Sequence, residues 1–487
     1  MRSSFEKMGL VGSGVLVGVL ISLNFSALAE KTSVSQLPLD DLRVFAEVFG
    51  KVKSDYVEPV EDKKLINEAL TGMLAGLDPH STFMDADGYK DLQAGTQGEF
   101  GGLGIEVAME DGLVKVVTPI EDSPAYKAGL KSGDLISKLD DTQVRGLSLN
   151  DAVKKMRGKP DTDILLTVLR KGETKPLTFK LTRAIIKSQS VKNKFIEPGY
   201  GYVRITQFQE HTGEDLAKAL KTLREQNKGP FKGLVLDLRN NPGGLLDAAV
   251  GVSAAFLPKN ELVVYTEGRT ADAKMRLNAA PLDYARRGKS DYLKDEAADY
   301  KTTPIVVLIN NGSASASEIV AGALQDHKRA TILGTQSFGK GSVQTILPMN
   351  NGSAIKLTTA RYFTPKGRSI QAKGIVPDII VEDGFDQSNN IREADLAKHL
   401  SNPKDSEAPA RVVDDAKDAA AKAALAEKKF AEQKGPIEPA SKDDIQFVQA
   451  MNVLKGLPVQ KTPEVKAAET LPAEAKPTET KPADIKK

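Results

Sequence analysis

The sequence predicts a mixed α/β (α+β) protein built from several units. A helical N-terminal unit precedes a partly open β-barrel, inserted ahead of a βαβ-containing core, and a helical, then low-complexity, extension closes the chain. Three observations predict this. Leu42, Phe45, Val48, Phe49 and Val52 recur close to i, i+3, i+4, i+7, the spacing of an amphipathic helix. From about Gly98 short β-like runs are separated by glycines. From Tyr200 apolar strands alternate with helical stretches, which implies parallel crossovers and a largely buried sheet.

The elements follow in order. Arg2 and Lys7 precede an apolar run from Met8 to Leu23, and Ala27-Leu28-Ala29 offers an A-x-A cleavage site. Residues 1–29 therefore read as a secretory signal, with an uncleaved membrane anchor as the alternative. The expected location is the periplasm or cell envelope. Residues 30–91 form the helical unit, with helices at 39–53 and 62–76 and a turn at 77–85. Residues 92–184 form the β-rich unit, with strands in "LGIEVAM", "LVKVVTPI", "DLISKLD", "DILLTVLR" and "LTFKLTR" and a helix at 148–157. Residues 185–386 form the core. Its strands are "GYVRITQF", "GLVLDLR", "ELVVYTE" and "PIVVLIN", its helices lie at 213–226, 244–257 and 317–327, and a charged stretch at 267–302 reads as a surface insertion. Residues 387–460 form a helical extension, with helices at 412–433 and 441–454, and residues 461–487 a disordered Pro/Thr/Glu/Lys/Ala tail.

Composition narrows the chemistry. The 487 residues are 40% hydrophobic and 27% charged, with a net charge of +2, enough for two or three cores. Aromatics are only 5% and no basic block interleaves with them, which argues against nucleic acid as a partner. With no cysteine there is neither a thiolate zinc site nor a cysteine nucleophile. The histidines His80, His211, His327 and His399 lie far apart, so no metal is expected.

One stretch carries chemistry. "PIVVLI", "NNGSASA" and "SEIVAGAL" read as strand, tight turn and helix, which places Ser315 beside the unpaired N–H groups of a helix start. Ser315-x-x-Glu318 also matches a capping box, a purely structural alternative. His327 lies about 18 Å along the helix at ~1.5 Å per residue, too far to take a proton from Ser315. A lysine can act as base if it is neutral. Moving its pKa from about 10.4 to near 7 needs roughly 4–5 kcal/mol of ammonium destabilisation, which burial supplies. Lys340, between "ATILG" and "VQTILPM", is better placed for burial than Lys328. Gly334-x4-Gly339-Lys340 imitates a phosphate loop, but Gly341 stands where Ser or Thr must bind magnesium and a strand follows instead of a helix. In "LDLRNNPGG", Gly243 or Gly244 can bring a backbone N–H close to a reacting carbonyl, unless the glycines only make a tight turn.

"LDLRNNPGG", "NGSASASEIVAGALQDHKRATILG" and "SFGKGSVQ", with "LDPHSTFM" and "RYFTPKGRSIQAKGIVPDI", resemble the carboxy-terminal processing (tail-specific) proteases, serine peptidases with a Ser-Lys pair and a PDZ domain. The resemblance runs from about residue 40 to 385. It implies Ser315 as nucleophile, Lys340 as general base and Gln344 as the residue orienting that lysine. Ala316 N–H with Gly243 or Gly244 would form the oxyanion hole, without cofactors. On one strand Lys340 and Gln344 would be ~13 Å apart, so their contact requires a bend, which Gly341 can provide. His80 departs from the aromatic residue that relatives often carry. "GGLGIEV" and "SPAYKAGLKSGDLI" resemble a PDZ carboxylate-binding loop and the helix and strand after it. This implies that Gly102, Leu103, Gly104 and Ile105 receive a peptide C-terminus, with Arg170 as a carboxylate or gating contact. The expected partners are protein or peptide substrates with accessible C-termini. Helical segments at both ends of the mature chain suggest a homo-oligomer, and any activator or adaptor is unknown from sequence. A non-catalytic PDZ scaffold or chaperone for envelope proteins is the alternative function.

Overall fold

The computed structural model describes residues 37–120, 122–286, 290–294, 298–382, 391–403 and 437–460. The expected signal at 1–29, the helix at 412–433 and the tail from 461 lie outside the described residues. The chain divides into two units, one reaching Ala69 and one starting at Leu70. In the first, α1 (Leu39–Asp55) carries Asp40 and Asp41 in its first turn and Lys53 in its last, charges that suit the helix dipole. Its apolar stripe, Leu42, Phe45 and Val48, is exposed. α2 (Asp62–Ala75) begins in the first unit and ends in the second.

The stretch expected to be only a turn contains β1 (Thr82–Met84), followed by α3 (Ala86–Gln97), which Asp85 caps by accepting Gly88 N–H at 2.8 Å. The β-rich unit then runs β2 (Glu99–Gly102), β3 (Ile105–Glu110), β4 (Leu113–Pro119), α4 (Pro124–Lys127), β5 (Leu135–Leu139), β6 (Thr142–Gln143), α5 (Leu149–Met156), β7 (Asp163–Leu169), β8 (Leu177–Thr182) and β9 (Ala184–Lys187). Its sheet has the order β3-β4-β5-β7-β8, with β6 on β5, while β2 pairs with β9. Alternation puts Ile164, Leu166 and Val168 inside, against Val114, Val116, Ile136 and Leu139. The barrel is open, and β3 is an edge strand.

The core continues with β10 (Val191–Glu197), β11 (Tyr200–Ile205), α6 (Thr212–Asn227), β12 (Gly233–Asp237), α7 (Leu246–Phe256), β13 (Leu262–Gly268), β14 (Arg276–Asn278), α8 (Pro281–Tyr284), β15 (Ile305–Ile309), α9 (Ala316–Asp326), β16 (Thr331–Gly334), β17 (Ser342–Pro348), β18 (Ala354–Phe363), β19 (Ile379–Ile380) and α10 (Ile445–Lys455). One sheet has the order β10-β11-β12-β15-β16-β19, parallel from β11 onward. Period-two alternation divides its apolar residues between two cores. Val203, Leu236, Val307 and Ile309 face α6, α7 and α9, whereas Tyr202, Val235, Val306 and Leu308 meet Phe447, Ala450 and Met451 of α10. A second sheet runs β1-β18-β13-β14, with β17 also on β18.

α10 is locked to the strand end beneath the glycine loop. Arg239, two residues past β12, reaches Asp237 Oδ1 at 3.0 Å and Asp444 at 2.8 and 2.7 Å. Asp444 also caps α10 through Phe447 N–H at 3.1 Å.

The stretch 267–302 is more than a surface insertion. It supplies β14 and α8, and Ala279, Tyr284 and Tyr300 join the main core. Tyr284, Tyr292 and Tyr300, spaced eight apart, pack into or against that core, a pattern that local polarity hides. Tyr300 is 2% exposed and donates to Leu220 O at 2.6 Å. Tyr300→Ala is therefore expected to lose about 3–5 kcal/mol in urea unfolding, and Tyr300→Phe about 1 kcal/mol. A surface insertion would leave both within about 0.5 kcal/mol.

Candidate active site

Three serines alternate with alanine where β15 gives way to α9, and the fold gives each a different environment. Ser313 is fully buried, donating to Leu238 O at 2.8 Å and accepting Asn310 N–H at 3.0 Å. Ser317 is also fully buried and donates to Asn241 O at 2.9 Å. Both hydroxyls are consumed in tying this turn to the β12 loop. Ser315 is only partly buried and has φ 54° and ψ −112°, outside the extended region usual for an N-cap. Ser315 and Glu318 stand in capping-box register, and Glu318 accepts Ser315 N–H at 2.8 Å. The serine makes no side-chain cap hydrogen bond of good geometry, and its hydroxyl meets the Tyr362 phenol.

Glu318 does more than cap. It is fully buried, and its carboxylate gathers four donors from two chain segments. Oε2 takes Ser315 N–H at 2.8 Å and Lys340 N–H at 3.0 Å, while Oε1 takes Gly339 N–H at 2.7 Å and the Ser337 hydroxyl at 2.5 Å. One side chain thus fixes Ser315 and Lys340 in the same frame.

Lys340 lies in an irregular segment before β17, not on the strand. Backbone polar groups withdrawn from water need partners, and here every one has a partner. Phe338 N–H donates to Ser313 O at 3.0 Å, and its carbonyl accepts Glu393 N–H at 3.1 Å. Gly339 O accepts Ala372 N–H at 2.8 Å, and Tyr362 Oη donates to Lys340 O. Gly341 N–H donates to Gln371 Oε1 at 3.0 Å, and its carbonyl accepts Tyr362 N–H at 3.0 Å. A Cβ on Gly341 would lie 2.4 Å from Gln371 N, so only glycine fits this close approach.

The lysine amine gives up its proton more readily than an exposed lysine. Burial, with help from nearby Lys356, pushes the Lys340 pKa down to about 8 against the partial opposition of Glu393, Glu318 and Asp78. Burial also raises Glu318 to about 7, although its hydrogen bonds pull the other way. Gln344 donates to Ser342 Oγ at 3.0 Å and to Thr358 Oγ1 at 3.1 Å. Thr358 in turn donates to Asp78 Oδ1 at 3.0 Å, which aims the amide nitrogen along that chain. The β17–β18 register shifts between Val343 and Gln344, and the Gln344 amide bonds Ser342 and Thr358 in place of the expected Lys340 amine.

The glycine loop packs directly on the serine. A Cβ on Gly243, which has φ 96°, would lie 2.8 Å from Ser315 Cβ and 2.9 Å from Ala316 N. Gly243 N–H is spent on Asn241 Oδ1 at 2.9 Å. Gly244 is exposed and Ala316 N–H is the first donor of α9, so these two amides suit an oxyanion better. His327, at the far end of α9, contacts Leu262 O at 2.8 Å.

In the β-rich unit, Leu103 O accepts Ala125 N–H, and Gly104 O accepts Ile120 N–H and the Ser123 hydroxyl. These bonds shape the loop from Gly102 to Ile105, whose last residue opens edge strand β3. Arg170 is committed within this unit: it bonds Asp134 at 2.7 and 2.8 Å and Gly129 O at 2.9 Å, and lies over the Phe179 ring.

Sequence reasoning read Glu318 only as a cap and missed Tyr362, Gln371, Glu393 and Asp78. The S-x-x-E spacing was the one local signal for Glu318. The others reach the site only through tertiary folding.

A neutral amide at position 318 cannot accept from four donors. Glu318→Gln is expected to cost about 2–4 kcal/mol in urea unfolding and to slow peptide hydrolysis at least about tenfold. The pH dependence has a definite sign. The folded state keeps the Glu318 proton between 4.5 and about 7, so this group lowers stability as pH rises through that window. Lys340 sheds its proton earlier in the folded state than in the unfolded one, so it raises stability as pH climbs from about 8 to 10.5. Urea midpoints of Glu318→Gln and Lys340→Met across pH 4–11 check both signs.

Comparison with known proteins identifies the family. Residues 199–381 match peptidase family S41, residues 101–181 a PDZ domain and residues 21–88 the N-terminal domain of the activating protease CtpB. A carboxy-terminal-processing protease of Bartonella bacilliformis is 49% identical over 404 residues, covering 80% of this chain and 88% of the relative. The carboxy-terminal processing protease CtpB of Bacillus subtilis is 36% identical, covering 76% of this chain and 75% of its own. The solved photosystem II D1 C-terminal processing protease is 31% identical, covers 70% and 92% of the two chains, and superposes with a TM-score of 0.39. The family-model matches and the Bartonella and Bacillus relatives show that the chain belongs to the carboxy-terminal processing proteases, serine-type peptidases of family S41 that carry a PDZ domain.

Proposed function

We propose that this chain is an exported endopeptidase that captures the C-terminal tails of protein substrates on its PDZ domain and cuts with a Ser-Lys site. The observation that carries this reading is the Glu318 carboxylate, which takes backbone N–H groups of both Ser315 and Lys340 while burial lowers the lysine toward neutrality. Ser315 Oγ attacks the scissile carbonyl as neutral Lys340 Nζ takes its proton. The Ala316 and Gly244 N–H groups receive the developing oxyanion. Lys340 then returns the proton to the leaving amine, and water hydrolyses the acyl-enzyme. Gln344, anchored through Thr358 to Asp78, steadies the wall beside the base.

The PDZ reading rests on edge strand β3, which can accept a peptide as an added strand, and on the loop Gly102–Ile105 at its start. Arg170 would reach a substrate carboxylate only by leaving Asp134. The basic, apolar and A-x-A segments at the N-terminus support export to the cell envelope. Cell fractionation with a C-terminal tag checks that point, and retention in the cytosol rejects it.

Lys340→Ala should fold and lose at least about 10³-fold in kcat/KM on a tailed peptide, and Ser315→Ala should bind the peptide without cutting it. Wild-type rates in either folded variant would overturn the assignment. Because the neutral amine is required, kcat/KM should rise with pH and reach half its plateau near 8, falling about tenfold per unit below that. A profile centred near pH 5 would exclude lysine as the base.

A further inference from the structure

Behind the lysine lies a carboxylate–imidazole pair that the reaction steps above leave unused. Glu393 is fully buried and opens a short helical turn, Glu393–Asp395. Its N–H holds Phe338 O at 3.1 Å, and its carboxylate takes Gln371 Nε2 at 2.9 Å. Gln371 holds Gly341 N–H through its other amide atom at 3.0 Å. Phe338 and Gly341 flank Gly339 and Lys340, so one connected unit grips the base segment at both ends.

The same carboxylate faces His80 Nε2 at 2.8 and 3.0 Å. His80 is held in turn by its own N–H, which donates to Asp78 Oδ1 at 2.9 Å. A buried carboxylate is tolerated only with hydrogen bonds or a partner cation, and His80 sits where such a cation would be. The charged groups acting on the Lys340 amine are Lys356, Glu393, Glu318 and Asp78.

We propose that Glu393 is a positioning residue for Lys340 and that His80 orients its carboxylate, so that the pair fixes the Phe338–Gly341 segment and aims a negative charge at the lysine amine. The Glu393 carboxylate is among the charges that favour the ammonium of Lys340. The inference rests on Lys340 being the base.

Glu393→Gln keeps the shape and removes the charge, so the midpoint of the kcat/KM–pH profile should fall by about one unit, a shift that a purely structural role does not predict. His80→Ala removes the hydrogen-bond partner that orients the carboxylate and leaves its charge in place, so kcat should drop at least about threefold while the midpoint moves less than in Glu393→Gln. The pH dependence of Ser315 labelling by a fluorophosphonate supplies the same reading without a peptide, and urea midpoints confirm that each variant is folded. An unmoved midpoint in folded Glu393→Gln overturns the proposal, and an unchanged kcat in folded His80→Ala overturns the orienting role of His80. If Glu393→Gln does not fold, Glu393→Asp takes its place: it keeps the charge on a shorter arm, and kcat must drop with KM unchanged, since an unchanged kcat overturns the positioning role. Lys340→Ala run beside them separates the failures. If that variant is dead while the midpoints stay put, only this inference falls; if it is active, the Ser-Lys reading itself falls.

Discussion

A single buried carboxylate organises the catalytic half of this molecule. Removing Glu318 from water is costly, and no lysine or arginine head group bonds it; four neutral donors do. Because two of those donors belong to Ser315 and Lys340, the carboxylate can be satisfied only when the start of α9 and the segment before β17 are in register. Local capping and long-range assembly are thus the same event. The remaining contacts, from Tyr362 to Gln371, then complete a backbone segment that has no regular structure of its own.

The site also shows a trade between stability and reactivity. Ser315 sits at a positive φ, a conformation that costs a non-glycine residue of order 1–3 kcal/mol. Lys340 is half-buried near a second lysine, Lys356, which is itself held below the usual lysine range by desolvation. Neither choice benefits the fold. The two large cores on either side of the β10–β19 sheet supply the rigidity that keeps both in place.

What the sequence revealed, and what it concealed, follows from range. Strand, turn and helix around Ser315 were legible because "PIVVLI" is a continuous apolar run and S-x-x-E is a helix-start signal. Ser313 and Ser317 could not be told from Ser315, since all three share one local pattern and only the β12 loop distinguishes them. Lys340 was identified as burial-prone from its apolar neighbours, yet its placement on a strand was wrong: Glu318, Gln371 and Tyr362 hold its segment irregular. Asp78, some 260 residues upstream of it, and Glu393, some 50 downstream, left no periodic trace. The stretch 267–302 misled through its charge, and the turn at 77–85 concealed β1 because three residues are too few to show alternation.

The lock between Arg239 and Asp444 joins residues 205 positions apart and sits just ahead of the glycine loop that faces Ser315. A ribosome releases residue 239 long before residue 444. Until then the guanidinium lacks its distant carboxylates, the outer face of the β10–β19 sheet lacks Phe447 and Met451, and the strand leading to Gly243 and Gly244 has no brace behind it. A nascent chain therefore carries residues 315 and 340 before the brace behind the glycine loop can form, so this half of the molecule is completed only by its last-made helix.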